Sequence, residues 1–526
     1  MSSQSISPLR IFRNCDPNEV ISAQTQTSDS PLFASAGELE RPGFLSRSFA
    51  GVFKLYVLVY AFLFASRPIS DADFWFHLKT GQFVFQHGQT PHTEPFSFTF
   101  NGLPWVAHGW LSGTFFYAVY SALGLYALIF IFAILAALSF WIVLKNTQAH
   151  PYIIAFAMLL GVWTVLPNIG VRPRVFTLLL ASIFIVILNN YARRGAGRQI
   201  WLLIPLMVLW ANLHGGFVIG WALIALSIVG VVLDAVTAGE KVRALWPRLR
   251  TLGIVLVACF LAAIVNPYGI AIYEPARRAM SSSVYSRVIV DWVSPNFHQP
   301  ELLPLLVLIL LSITAFALSP KRIRPSELLL FVATLFATLK AQRNMLLFAV
   351  VAAPLLARYA QYWIDSSPFS RMLTKSVSAN RQPALVVLSV IMLLPLPLFV
   401  ARLSATAYAA PQQQRMKVPI KAVDYIRTNQ LTGNTFTFPS IWGGYVIWEL
   451  PSNPVYIDGR DVYPEQFVDE YVEMIRGRAD WQGPFARYGV RVVLLETGSL
   501  LARQLDGMNE WERVYQDEMS SVYKRR

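Results

Sequence analysis

The sequence predicts a polytopic α-helical membrane protein with about 11 transmembrane helices and a C-terminal extracytoplasmic α/β domain. Of the 526 residues, 55% are hydrophobic and only 14% are charged, whereas soluble domains carry roughly 25% charged residues. Apolar runs recur from about residue 52 to residue 400, and several approach the roughly 20 residues that a bilayer crossing needs. After residue 411, short β-rich runs alternate with helical patterns, which is typical of a small α/β unit.

Two of the expected spans are irregular. The stretch 111–144 is too long for one straight crossing, and we expect a break between Ser121 and Gly124. The stretch 200–213 is short and ends at a His-Gly-Gly sequence. The expected spans lie near residues 50–67, 111–144, 151–167, 174–191, 200–213, 215–236, 251–266, 301–318, 326–340, 343–360 and 384–404.

The formal net charge of +14 does not indicate a nucleic-acid partner, because Lys and Arg cluster in short loops between spans. The positive-inside rule produces this distribution. Arg41, Arg47 and Lys54, which precede or open the first span, place the N-terminus in the cytoplasm. The odd number of spans then places the C-terminus outside it. The basic clusters are Arg193, Arg194 and Arg198; Lys241, Arg243, Arg248 and Arg250; Lys321, Arg322 and Arg324; and Arg371, Lys375 and Arg381.

Three regions follow from these patterns. Residues 1–46 are rich in Ser, Gln and Pro and predict a disordered cytoplasmic tail. Residues 47–408 form the transmembrane domain, with outer loops 68–110 and 267–300, and residues 411–526 form the soluble α/β domain. In the last region we expect helices at 418–430, 464–476 and 498–507 and strands at 434–439, 444–449, 454–458 and 491–496.

The segment that follows the first span holds Asp71, Asp73 and His77 among aromatic residues. Helical spacing puts Asp73 and His77 one turn apart on one face. The two aspartates are therefore candidate ligands of a divalent metal ion, and either is a candidate general base toward a hydroxyl acceptor. The third interpretation is structural: Ser70 and Asp73 form a capping box, and Phe74-Trp75-Phe76 anchor the membrane interface. A capping carboxylate can also serve a site, since a catalytic carboxylate must be held still.

The predicted topology places other unusual polar residues on the same outer side. Arg172 and Arg174 flank Pro173 at an outer span boundary, against the positive-inside bias. Guanidinium groups there either pair with a phosphate or extend toward lipid headgroups. The same two interpretations apply to Arg343, at another outer boundary.

His108, His214 and Asp291 complete the candidate set. His214 precedes Gly215-Gly216, where the backbone can break sharply and approach a ligand closely, although a lone histidine is more often structural. His108 lies where the chain re-enters the membrane. Asp291, beside Trp292, either contacts a sugar or anchors an interfacial loop. Two further polar residues of the first outer loop, His92 and Glu94, are expected at the surface.

Taken together, these residues resemble a bacterial family of polytopic membrane proteins related to GT-C-type glycosyltransferases, the superfamily of protein O-mannosyltransferases and lipid A aminoarabinose transferases. The resemblance covers nearly the whole chain after residue 50, with two departures. Gly109 follows His108 where an acidic residue is usual, and Asp291 stands where glutamate is more usual. The matching motifs are Asp71-x-Asp73-x-Trp75-x-His77-Leu78, Thr80-Gly81, His87-Gly88, Pro91-x-Thr93-x-Pro95-Phe96-Ser97-Phe98-Thr99, Pro104-Trp105-x-x-His108, Arg172-Pro173, Asn212-Leu213-His214-Gly215-Gly216, Asn266-Pro267-x-Gly269, Trp292-x-Ser294-Pro295, Gly443-Gly444-Tyr445 and Asp458-Gly459-Arg460.

The resemblance implies a GT-C-like fold and an inverting glycosyltransferase in a bacterial inner membrane. Its donor would be a polyprenyl-phosphate-linked sugar, and its acceptor would lie on the outer face. The essential acidic residue of the superfamily maps onto Asp71 or Asp73, as base or metal ligand, with no certain cofactor. Arginines would hold the lipid phosphate, histidines would position the reacting groups, and the C-terminal domain would help bind the acceptor.

A different class of function remains open at this point. The chain is alternatively a lipid-linked glycan transporter or a non-catalytic membrane scaffold. A transporter is expected to show inverted repeats and polar groups near the bilayer midplane. In this sequence the unusual polar groups collect at one membrane edge, which favours an enzyme.

Overall fold

The computed structural model describes residues 44–69, 71, 73–281, 290–368 and 418–526. Five features predicted from the sequence therefore lie outside the described residues, in whole or in part. They are most of the N-terminal tail, the capping residue Ser70, part of the loop 267–300, the basic cluster Arg371, Lys375 and Arg381, and the span at 384–404. The helices of the first part of the chain are α1 (Phe44–Ala65), α2 (Asp73–His87), α3 (Trp110–Leu123), α4 (Leu125–Lys145), α5 (Pro151–Val165), α6 (Arg174–Arg194), α7 (Leu203–Leu213), α8 (Val218–Thr237), α9 (Trp246–Ala262), α10 (Tyr273–Ser281), α11 (Leu303–Leu318), α12 (Pro325–Lys340) and α13 (Met345–Ser366).

Seven helical segments in the described part of the chain are long and apolar enough to cross a membrane. Two shorter apolar helices, Phe53–Ala65 and Arg198–Leu213, correspond to predicted spans, and α12 matches the one predicted at 326–340. The chain is thus a multi-pass membrane protein, although the structure does not establish a total of 11 spans. The seven segments are Leu125–Lys145, Pro151–Asn168, Arg174–Arg194, Gly215–Thr237, Arg243–Ala262, Pro300–Leu318 and Gln342–Ser366.

The exposed surface of α4 shows why these helices suit a bilayer. Its large apolar side chains recur every three or four residues on one face and are exposed, and the charged Lys145 joins them at the end of the helix, over the ring of Trp141. In water such a stripe would be costly, whereas hydrocarbon tails solvate it. The stripe consists of Tyr126, Phe130, Ile134, Leu138 and Trp141.

The break predicted between Ser121 and Gly124 is confirmed. Helix α3 ends at Leu123 and α4 begins at Leu125, with Gly124 between them at a φ of 79°. This left-handed region is readily open only to glycine. The backbone therefore changes direction at one residue, and the long apolar stretch becomes two helices.

Close backbone packing fixes α2 against α3. A Cβ added at Gly81 would overlap the carbonyl of Gly113, so the two helices approach at a point where only glycine leaves room. Aromatic rings fill the space beside this contact: Phe74 stacks on Phe116, with ring centroids 5.7 Å apart. The first turn of α2, which carries Asp73, is thereby held on a rigid helix pair.

The C-terminal region contains a four-stranded sheet with the order β1-β2-β4-β3. Strands β1 and β2 are parallel, and the other two pairings are antiparallel. The strands are β1 (Thr435–Phe438), β2 (Val492–Glu496), β3 (Trp511–Gln516) and β4 (Ser520–Arg525), and the helices are α14 (Ile420–Thr428), α15 (Trp442–Glu449), α16 (Glu465–Ile475), α17 (Gln482–Arg487) and α18 (Leu500–Asp506).

Most of the elements predicted for this region are confirmed, but two strands are not. Residues 444–449, predicted as a strand, belong to helix α15. Their continuous apolar run does not distinguish a buried strand from a buried helix, and packing decides: Tyr445 meets Trp75 of α2, with centroids 4.9 Å apart. Residues 454–458 form only isolated bridges, in which Val455 pairs with Ser97 and with Thr435.

Candidate functional site

A cavity of about 470 Å³ lies where several helices begin or end. Helices α2 and α6 begin there, α7 gives way to α8 there, and a short turn before α13 and the loop 458–461 complete its wall. We call it the aspartate cavity. All nine residues singled out in the sequence line it, namely Asp71, Asp73, His77, His108, Arg172, Arg174, His214, Asp291 and Arg343.

Two aspartates in the aspartate cavity are paired with arginines. Arg172 Nε lies 2.7 Å from Asp71 Oδ2, and Arg174 forms an ion pair with Asp291. Arg172 also approaches Asp291, at 3.9 Å. Burial alone would raise the pKa of Asp291, but Arg174, followed by Arg172 and Arg343, outweighs it, and the pKa of this carboxyl is lowered. The result is a charged network that joins Asp71, Asp291 and two arginines, in which Asp291 stays ionised.

Asp73 differs from these two aspartates. It begins α2, and its backbone N–H donates to Asp71 Oδ1 at 3.2 Å, so Asp71 caps the helix. Among the described residues, no cationic side chain lies within 4 Å of the Asp73 carboxylate. Burial raises the pKa of Asp73 well above its usual range; Asp71 raises it further, and Arg172 and Arg174 lower it. This carboxyl group has the property expected of a proton acceptor.

Gly459 covers one side of this carboxylate. A Cβ at position 459 would overlap Oδ1 of Asp73 and would come within 3.8 Å of Phe76. Only glycine therefore allows the loop 458–461 to lie directly on the first turn of α2. The C-terminal region contributes part of the burial that shifts the pKa of Asp73.

Arg343 is the arginine of the aspartate cavity with the least compensated charge. Its guanidinium lies over the ring of Trp292, 4.2 Å from the centroid, and among the described residues it has no carboxylate within 4 Å. The aromatic face holds the guanidinium in place while leaving its N–H donors available. Such a group can accept an anion without first losing an ion pair.

Hydrogen bonds define the tautomer of His214. Its Nδ1 accepts from the Thr177 hydroxyl at 2.8 Å and from the Gly216 N–H at 3.1 Å, while Trp210 donates to the same hydroxyl at 2.9 Å. Since Nδ1 is an acceptor, the proton of the neutral ring is on Nε2. His214 is thus a hydrogen-bond donor at the wall of the aspartate cavity.

The other two histidines have different surroundings. Burial, followed by the neighbouring His108, lowers the pKa of His77 to about 3, so His77 is neutral at physiological pH. Gly109 packs on the same ring, because a Cβ there would lie 3.4 Å from His77 Cε1. His108 Nδ1 lies 3.8 Å from Asp461 Oδ2.

The loop 458–461 also brings in residues that were missed in the sequence. Asp461 was not singled out, and Glu94 was expected at the surface. That expectation is wrong: Glu94 is 0% exposed and pairs with Arg460 at 2.7 Å. Arg460 also binds Asp458 at 2.5 Å and lies between the rings of Phe96 and Trp105. The sequence did contain one signal for this loop, the Asp-Gly-Arg motif that follows a predicted strand.

The described residues that line the aspartate cavity do not form a ligand set for a metal ion. Both oxygens of Asp71 already have partners, the guanidinium of Arg172 and the N–H of Asp73. Within the described ranges, no group of three or more His, Cys, Asp or Glu side chains is close enough to hold a metal. The proposed role of Asp71 and Asp73 as metal ligands therefore has no support from the geometry, and the local positive charges are those of arginines.

Similarity to known structures is found at the level of the fold. No protein-family model matches the chain, and no curated protein matches its sequence. The archaeal oligosaccharyltransferase AglB from Archaeoglobus fulgidus, in complex with an inhibitory peptide and a dolichol-phosphate, superposes with a TM-score of 0.55 at 13% identity, over 85% of this chain and 70% of that one. The apo form of the A. fulgidus oligosaccharyltransferase gives 0.54 at 12% identity, over 86% and 70%.

A second protein has the same general architecture. ArnT from Cupriavidus metallidurans in the apo state superposes with a TM-score of 0.50 at 15% identity, over 91% of this chain and 98% of that one. AglB and ArnT are both GT-C-type enzymes. The chain is thus a multi-pass membrane protein with a GT-C-like fold, as the sequence resemblance predicted.

Proposed function

We propose that the protein is an inverting glycosyltransferase that moves a sugar from a polyprenyl-phosphate donor to an acceptor at the outer face of a bacterial inner membrane. One observation carries the proposal: Asp73 and Arg343 line the same cavity, and among the described residues neither of them has an ion-pair partner. A sugar transfer of this kind needs a proton acceptor and an anion-stabilising group in one site.

Asp73 is suited to deprotonating the acceptor. Its raised pKa brings it closer to neutral pH than an ordinary aspartate, where a general base is most effective. Asp71 and Asp291 are poorer candidates because Arg172 and Arg174 pair with them. The proposal therefore assigns the base to Asp73 and gives Asp71 the role of capping and orienting α2.

The arginines are suited to the phosphate of the donor. Arg343 offers its N–H donors directly, and Arg172 and Arg174 add positive charge beside it while being held by Asp71 and Asp291. A guanidinium group can donate two parallel hydrogen bonds to two oxygens of one phosphate. The volume of about 470 Å³ lies within the range of about 300–1,000 Å³ that is usual for small-molecule sites.

The reaction is then a single displacement. The acceptor oxygen attacks the anomeric carbon as its proton passes to Asp73, and the bond between that carbon and the phosphate oxygen breaks. The electron pair of that bond leaves with the lipid phosphate, whose new negative charge Arg343 stabilises. The products are a glycosylated acceptor, the free polyprenyl phosphate and a protonated Asp73.

The position of the site supports an enzyme rather than a transporter. Asp73 and Arg174 are the first residues of α2 and α6, and Arg343 precedes α13 by two residues. These groups therefore lie at helix ends and not in the middle of the membrane, where a transporter binds its substrate. The dolichol-phosphate in the AglB structure supports a lipid phosphate as the ligand of a GT-C-like fold.

The direct test is a transfer assay with the purified protein in lipid nanodiscs. Polyprenyl-phosphate-linked sugars are supplied together with envelope material as acceptor, and the release of free polyprenyl phosphate is measured. We expect wild-type protein to release it, Asp73→Asn to lose nearly all release, and Asp71→Asn to lose less.

A matched control is Asp424→Asn, since Asp424 lies on the exposed surface of α14. It is expected to keep wild-type release. Equal release by wild-type protein and by the Asp73 and Asp71 variants would remove both aspartates from the mechanism. Donor binding without any release would contradict the assignment of an enzyme.

A further inference from the structure

A second cavity, of about 320 Å³, lies at the opposite ends of the helices that border the aspartate cavity. Helix α6 begins at Arg174 in the first cavity and reaches Arg193 in the second. Nineteen residue steps of 1.5 Å separate these two arginines by roughly 30 Å, about the thickness of the hydrocarbon core. We call the second one the arginine cavity, after Arg193, Arg248 and Arg324 in its wall.

Two acidic residues near the arginine cavity already form ion pairs or hydrogen bonds with other side chains. Glu327 pairs with Arg193 at 2.9 Å and with Arg358, and it also accepts from the Tyr359 hydroxyl at 2.7 Å. Asp234 accepts from the N–H and the hydroxyl of Ser326, at 2.8 and 2.6 Å. These carboxylates are therefore committed to holding α8, α12 and α13 together.

Two arginines remain without such a partner. Among the described residues, neither Arg248 nor Arg324 has a carboxylate within 4 Å. Glu240 also lines the arginine cavity. It is exposed, as Arg324 is, so water and salt weaken its effect on the arginines. Arg248 is held in place, since its guanidinium lies against Gly195 at the end of α6, where a Cβ would overlap it.

We propose that the arginine cavity binds a phosphate group, through Arg248 and Arg324, at the membrane edge opposite the aspartate cavity. Two guanidinium groups facing one cavity repel each other, and an anion between them turns this repulsion into two charge-assisted interactions. Phosphate fits because its oxygens match the paired N–H donors of arginine. The source of the phosphate is either the headgroup of an anionic phospholipid or soluble phosphate.

The inference is independent of the transfer reaction, because it concerns residues at the other end of the bundle. Native mass spectrometry tests it by counting the lipids that stay on the purified protein with phosphatidylglycerol or with phosphatidylcholine. Thermal unfolding with and without inorganic phosphate forms the second arm. We expect wild-type protein to retain phosphatidylglycerol preferentially, or to be stabilised by phosphate, and the result identifies the source.

The test variant is Arg248→Gln with Arg324→Gln, and the control is Arg250→Gln with Arg322→Gln, which removes two neighbouring exposed arginines. Losing one charge-assisted hydrogen bond typically costs about ten-fold in affinity, so the test variant is expected to lose at least about ten-fold in binding while the control keeps it. Equal losses in both variants, or no preference for either phosphate source in wild-type protein, would overturn the proposal.

Discussion

The two cavities share α6 and α8, yet they differ in what their charges are paired with. In the aspartate cavity Arg172 and Arg174 are paired with carboxylates, and a third carboxylate, Asp73, is left without a cation. At the arginine cavity, Asp234 in the wall and Glu327 beside it already have partners, and among the described residues Arg248 and Arg324 have no carboxylate within 4 Å. An unpaired base is required to move a proton, whereas unpaired cations are sufficient to hold an anion. This difference is why we propose sugar transfer at one end of the helix bundle and phosphate binding at the other.

The largest expected effect comes from removing one carboxylate at each end. A general base contributes about 10²–10⁴-fold to a rate, so Asp73→Asn should lower kcat by that factor. Asp234→Asn should leave kcat unchanged and instead weaken the contact between α8 and α12. Steady-state kinetics and thermal unfolding of both variants separate these outcomes. Comparable kcat values for the two variants would erase the distinction between the cavities.

The next effect concerns the loop that covers Asp73. Gly459→Ala places a Cβ on the Asp73 carboxylate and should displace it, and a displacement of 1 Å can cost about 10²-fold in rate. The control is Gly507→Ala in the same region, where a Cβ would have only an ordinary contact at 3.5 Å. Full activity of Gly459→Ala would show that this loop does not position the base.

A smaller effect is expected from Arg343→Gln. If Arg343 holds the donor phosphate, its loss removes hydrogen bonds to a charged group, each of about 1.5–3 kcal/mol, and KM for the donor should rise by about ten- to hundred-fold. Arg193→Gln, at the far end of α6, should leave KM unchanged. An equal rise of KM in both variants would contradict the assignment of donor binding to Arg343.

The smallest and most specific effect is expected on the pH dependence of kcat/KM. The base acts when deprotonated, so kcat/KM should fall as the pH decreases through the raised pKa of Asp73. Arg172 lowers that pKa and Asp71 raises it. Arg172→Gln should therefore move the acidic limb of the profile to higher pH, and Asp71→Asn should move it to lower pH. Shifts in the same direction would show that another group titrates.

The sequence predicted the membrane helices and the grouping of nine polar residues, for a physical reason. Spans are defined by uninterrupted apolar residues, and a polar group that follows a span must lie near a membrane edge. Helices that cross together then bring Asp73, Arg174 and Arg343 to one side. The break at Gly124 was predictable because glycine ends a helix locally.

The features that were missed depend on contacts between distant parts of the chain. Glu94 looks like a surface residue until Arg460 neutralises it inside the protein. The segment that became α15 has the composition of a strand, and only its packing on α2 selects the helix. Strands β3 and β4 were not predicted, because much of β3 is polar and only partly buried. No local pattern encodes such pairings.

The ion pair between Glu94 and Arg460 also bears on the order in which the protein is made. Chains fold largely in the order of their synthesis, so the segment 68–110 is completed long before Arg460 leaves the ribosome. Until then Arg460 is not available to contact Glu94, Phe96 and Trp105. The first turn of α2 also lacks its contact with Gly459. The site becomes complete only when the last domain has been made and docked. A truncated chain would thus carry most of the polar residues of the site without the environment that gives Asp73 its raised pKa.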